Sequence, residues 1–209
     1  MMSTPLAAAL LPLALLAPAA ASSAPVTPRA PVTSPGSAAS PGSAASSGSA
    51  ASPVSVVEAA FDPATAFVPP TAVSYADDLV PYGARTRIVT DRSTAGRTVL
   101  TMTVTGLAPD HEFPVHLHTG SCGADPASSG PHYQDAVDPV QPSTDPAYAN
   151  GRNELRLALR TDAHGEGIAT ASVPWQPRPG EARSLVMHAG TPAGPHAAGD
   201  RAACVKLEK

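Results

Sequence analysis

The stretch Phe113-Pro-Val-His-Leu-His-Thr-Gly-Ser-Cys122 decides how the rest of the chain is read. Read as a β-strand, it places residues i and i+2 on one face, about 6.6 Å apart. His116 and His118 then project together, and Val115 and Leu117 project to the other face. Two imidazoles side by side on a stiff strand make half of a metal site. A hydrophilic face carrying two solvated histidines has the same local pattern. Cys122, one of two cysteines in the chain, follows four residues after His118.

Working outward, the other strand-like runs are 84–89, 98–105, 155–161, 168–174, 183–188 and 202–207, with 112–118 as the central one. Turn signals separate them at Ala95-Gly96, Ala108-Pro-Asp110, Ala163-His-Gly165 and Arg178-Pro-Gly180. No long helical periodicity is present. Short strands at this spacing, punctuated by Gly and Pro, predict an all-β sandwich or barrel. Residues 123–151 show no strand pattern and read as a long loop of the kind that carries function or stays irregular.

The N-terminal part is different in kind. Residues 1–21 combine an apolar Leu/Ala run with Ala19-Ala-Ala21, which predicts a signal peptide and export. The run is too short for a comfortable membrane span, so no transmembrane segment is expected after cleavage, although a retained N-terminal anchor is the rival reading. Residues 22–53 are Ala, Ser, Pro, Gly, Thr and Val with a single charge at Arg29, a composition expected to stay disordered as a leader or as a tether to the cell envelope. Residues 54–209 remain for one domain. A formal net charge of −4 argues against nucleic-acid binding. Walker, GxSxG and HExxH motifs are all absent.

Seven histidines are present. His111 and His164 lie in turn signals and His196 in a Gly/Pro/Ala loop, so these three read as surface residues. His116, His118, His132 and His188 remain, drawn from three segments. Four imidazoles suit copper or another borderline metal better than magnesium or calcium. Cys122 and Cys204 form an even pair in an exported chain, for which a disulfide is the default. Thiol metal ligands and two free thiols are the alternatives.

These segments together resemble the copper/zinc superoxide dismutase family. Val115-His-Leu-His118 is similar to that family's H-x-H strand, and Gly130-Pro-His132 to its G-[GP]-H. Leu185-Val-Met-His188 resembles the strand end carrying its last copper histidine, and Gly199-Asp-Arg-Ala-Ala-Cys204 its G-x-R-x-A-C. The order agrees across residues 84–207. The resemblance implies a Greek-key β-sandwich or flattened barrel with long loops. It implies copper ligands His116, His118, His132 and His188, and a disulfide between Cys122 and Cys204. Arg201 would attract the superoxide anion, and Arg201 and His132 would be the catalytic residues.

The departures from the family are equally specific. Residues 133–153 hold no histidine. Glu154 stands where the family has its zinc aspartate, and the segment after His188 is short. The expectation is therefore a copper-only relative without zinc; Asp135, Asp138 and Asp145 could offer oxygen ligands, but nothing in their spacing argues for it. The implied function is a secreted superoxide dismutase that converts superoxide to oxygen and hydrogen peroxide. A non-catalytic copper buffer or delivery protein of the cell envelope is the alternative, against which the position of Arg201 argues.

Overall fold

The computed structural model describes residues 53–190 and 199–207. The expected signal peptide, almost all of the expected tether, and His196 lie outside the described residues. Among the described residues nine strands are formed: β1 (Val54–Pro63), β2 (Ala72–Ser74), β3 (Arg85–Asp91), β4 (Thr98–Thr105), β5 (Glu112–His118), β6 (Arg156–Arg160), β7 (Gly167–Val173), β8 (Ser184–His188) and β9 (Arg201–Lys206). They hydrogen-bond in the order β6-β5-β8-β9-β2-β1-β3-β4-β7. β6 and β7, the two ends of this order, lie against each other, so the sheet nearly closes into a flattened barrel. Only β1 and β2 run parallel. The antiparallel neighbours β4–β7 and β5–β8 are not consecutive in sequence, which is the Greek-key arrangement.

Alternation drives the fold. In β4, Thr98, Leu100, Met102 and Val104 point inward and their neighbours do not. In β6, Leu157 and Leu159 are buried between exposed arginines. In β5, Phe113, Val115 and Leu117 enter the core, with Phe113 and Val115 facing Leu159 and Leu157 across the ladder. The turn before β7 needs a glycine. Gly165 has φ +75°, and a Cβ there would lie 2.2 Å from the carbonyl oxygen of Leu107.

Two strands were not anticipated from sequence. Only Phe61 of β1 is buried, and Ala59 and Ala60 dilute its pattern. β2 is three residues long, too short to show a period. The 3₁₀ turn Pro126–Ser129 is the only helical turn assigned among the described residues between β5 and β6. No helix among the described residues is long and apolar enough to cross a membrane.

Because β5 alternates, its core face fixes its outer face. His116 and Val186 are register partners, as are Val186 and Cys204, and Cys204 and Val73. A second apolar cluster of Val73, Cys122, Val186 and Cys204 lies on this outer side. The Cys122–Cys204 disulfide ties the chain after β5 to β9. Closing a loop of this length contributes about 4–5 kcal/mol in the chain-entropy account.

The core face of β5 makes the strand rigid, so truncating it is costly. Phe113→Ala is expected to lower the unfolding free energy by about 3–5 kcal/mol in denaturant titrations. Ile168→Ala, at an exposed position, should stay within about 0.5 kcal/mol of the parent protein.

Candidate metal centre

Four segments deliver the polar groups to the outer face of β5. β5 itself carries His116 and His118. Beyond its end the chain turns back: Tyr133 N donates to Leu117 O at 2.7 Å, and Thr119 N donates to Pro131 O at 3.1 Å. This short ladder sets His132 directly across from His118. His188 closes β8, just past a register shift between Met187 and His188. Arg201 opens β9 as the register partner of His188.

The four expected imidazoles come together. The His132 ring centroid lies 4.1 Å from that of His116, 4.8 Å from His118 and 5.6 Å from His188. The possible donor atoms of His118, His132 and His188 fall within 4.8 Å of one another. His116 belongs to a second, overlapping triplet with His132 and Glu154. The quartet therefore resolves into two triplets that share His132.

The second nitrogen of each ring shows which atom is free. His118 Nδ1–H donates to Gly130 O at 2.9 Å, and His188 Nδ1–H donates to Gly199 O at 3.0 Å. Their Nε2 atoms are left as lone pairs. Both are buried and have no hydrogen-bond partner, and the same is true of His116 Nδ1. His132 Nδ1–H donates to Glu154 Oε2 at 3.2 Å, which leaves its Nε2 as the acceptor. Three unpaired buried nitrogens in one cluster would be costly in an apolar setting. A metal ion ligated by neutral imidazoles relieves that cost, and backbone or carboxylate partners on the other nitrogens are the usual accompaniment of such ligands. The donor set thus fits a metal, and a borderline one by its chemistry.

Electrostatics agree. Burial is the largest cause holding His116 and His118 down at about 3, and the neighbouring imidazoles push in the same direction. His188 is also lowered, again mainly by burial. For Glu154, burial works to raise the pKa, but hydrogen bonds from His132, Gln134 and Arg156 outweigh it and bring the carboxyl down to about 2. Glu154 is 2% exposed, and His132, Gln134 and Arg156 all donate to it.

Arg201 is held beside this cluster. Its Nη1 donates to Pro126 O at 2.5 Å and Ser129 Oγ at 2.9 Å, and its Nη2 donates to Gly130 O at 2.7 Å. Gly130 must be glycine, since its φ is +68° and a Cβ would meet Thr119 Oγ1 at 2.9 Å. Tyr75 Oη donates to Gly123 O at 2.9 Å and steadies the same loop.

Other sequence expectations fare differently. His164 is exposed, as expected. His111 is not a free surface residue. It is half-buried, its Nε2 bonds Ala189 O at 2.6 Å, and its ring lies 4.5 Å from Phe113. Turn chemistry marked its backbone position and missed the carbonyl waiting for its side chain. Asp138 and Asp145 cap their own loop, accepting from Val140 N and Ala147 N. Neither they nor Asp135 belongs to the two triplets. Gln134 and Arg156, which hold Glu154, were not anticipated, because a Gln in a loop and an Arg on an exposed strand position carry no sequence signal.

No family model matches the chain, and no curated protein matches it. Among solved structures, the clock protein EA4 is similar at 19% identity with a TM-score of 0.40, over 59% of this chain and 85% of that one. A likeness that slight bears on neither the fold nor the site.

The lowered imidazoles make a pH prediction for the metal-free protein. His116 and His118 stay neutral when folded down to about pH 3, whereas their ordinary value is 6.5. Between those values the unfolded state binds more protons. The stability they contribute is therefore present above pH 6.5 and lost as pH falls toward 3, by at most about 1.4 kcal/mol per unit per imidazole. Urea midpoints should fall steadily from pH 7 to pH 4, and less steeply in His118→Leu. A flat profile in the parent protein would contradict neutral burial.

Proposed function

We propose that this chain is an exported copper-dependent superoxide dismutase. One observation carries the reading. Buried, unpartnered nitrogens of His116, His118 and His188 gather around His132, and an anchored arginine, the register partner of His188, stands at their edge. The fold is compatible with the family that the four sequence segments resemble. The disulfide is compatible with an oxidising compartment.

His116, His118, His132 and His188 would hold the copper. Neutral imidazole serves both of its oxidation states. Copper there would supply one-electron chemistry, with one superoxide oxidised to oxygen by Cu(II) and a second reduced by Cu(I), taking up two protons to leave as hydrogen peroxide.

The chain's own residues do the rest. The whole protein carries a net charge of −4, so an anionic substrate needs a local positive field. Arg201 supplies it. A guanidinium is always charged, and its three backbone and hydroxyl acceptors leave it little freedom. None of those acceptors is a carboxylate, so its charge is not cancelled by them. Gly130 O orients His118 and Gly199 O orients His188, each fixing the tautomer that turns Nε2 inward. Glu154 does the same for His132. A copper buffer would need those imidazoles but would have no use for an arginine anchored by three acceptors.

Two measurements test this. Reconstituted protein should hold one copper per chain and dismute superoxide, at a rate that falls as ionic strength rises. Arg201→Ala should lower turnover by roughly tenfold or more while leaving copper affinity nearly unchanged. Copper-loaded parent protein without dismutase activity overturns the enzymatic reading. Unchanged turnover in Arg201→Ala overturns the role given to that residue.

A further inference from the structure

Arg156 occupies an unusual place. It is the register partner of His116 across the β5–β6 ladder. Its Nε and Nη2 both donate to Glu154 Oε2, at 3.0 and 2.7 Å. The same oxygen accepts from His132 Nδ1 at 3.2 Å and lies 3.9 Å from His116 Nδ1. Gln134 Nε2 takes the other oxygen at 2.9 Å. The glutamate side chain is 3% exposed and the arginine side chain 38%.

The two charges act on the centre in opposite senses. A carboxylate accepting an imidazole N–H increases the basicity of the other ring nitrogen. A more basic ligand favours the more highly charged, oxidised metal. A guanidinium on the very oxygen that accepts from His132 draws that electron density away. It also puts a fixed positive charge next to His116, which disfavours the oxidised state. Glu154 alone would thus lower the reduction potential, and Arg156 opposes it. The fork geometry matters, because two donors on one oxygen compete directly with the His132 hydrogen bond, which is the longest of the three.

We propose that Arg156 is a positioning residue that acts through Glu154 to limit the basicity of His132 and keep the reduction potential of the metal centre high. It touches neither substrate nor metal. The inference rests on the copper reading above, and the experiment separates the two.

The experiment is a pair of copper-affinity titrations, one for Cu(I) and one for Cu(II), on the full chain and on Arg156→Gln, Arg156→Lys and Glu154→Gln. In Arg156→Gln the ratio of Cu(I) to Cu(II) affinity should fall about tenfold, the lower range of outer-partner effects, or about 59 mV for a one-electron couple. Glu154→Gln should shift it the opposite way. Arg156→Lys, which keeps the charge but not the fork, should recover part of the shift. A residue that merely stabilised the fold would weaken both oxidation states alike and leave the ratio unmoved. An unchanged or raised ratio in Arg156→Gln, with copper still bound, overturns the assignment to Arg156 and leaves the dismutase reading intact. A parent protein that takes up no copper in either state overturns both.

Discussion

The carbonyl of Gly130 is the point on which the site depends. It accepts from His118 Nδ1 at 2.9 Å and from Arg201 Nη2 at 2.7 Å. One oxygen thereby fixes the tautomer of a buried imidazole and the place of the fixed cation next to it. Both lone pairs of that oxygen are used, so neither donor moves without disturbing the other. The carbonyl can point this way only because Gly130 adopts a left-handed φ. The disulfide, the Tyr75 hydroxyl and the Ser184 hydroxyl all bind the loop that carries it, at Cys122, Gly123 and Gly120. Several weak constraints around one loop together make a firm one.

Rigidity of that loop would be of little use on a yielding platform. β5 supplies the platform because its two faces do different work. Phe113, Val115 and Leu117 are locked into the barrel interior, and alternation then commits His116 and His118 to the outside. A one-residue slip in register would turn both imidazoles into the barrel interior and three apolar side chains out of it, a cost large enough to forbid it. The core thus specifies the direction in which the two imidazoles point.

How much of this was legible in sequence follows from the same distinction. β4 and β5 were readable to the residue because alternate side chains enter the core, throughout β4 and in β5 as far as Leu117. β1 was not, since only one of its side chains is buried and its pairing with β3 rests on backbone hydrogen bonds. The histidines were legible because imidazoles at i and i+2 on a strand share a face whatever the tertiary context. His132 and His188 remain once His111, His164 and His196 read as surface residues, and the resemblance to a known family implies the same four. Their support was illegible. Gly130 O and Gly199 O are backbone atoms with no side-chain signature, and only the folded chain shows where they point. His111 failed for the same reason, with its partner a backbone carbonyl at Ala189.

Glu154 is the instructive middle case. Its position next to Leu155 marked it in the sequence, but its state did not. A carboxyl buried this deeply should resist ionisation. It is held ionised because three side chains donate to it, a histidine and a glutamine from the loop after β5 and an arginine from β6. Remove the arginine, and the remaining donors are two neutral groups facing a buried anion. The carboxylate's electron density would then be shared between those two donors alone, and the hydrogen bond from His132 would strengthen. The surroundings of His132 are thus set in part from β6, by a side chain that a sequence reader would assign to solvent.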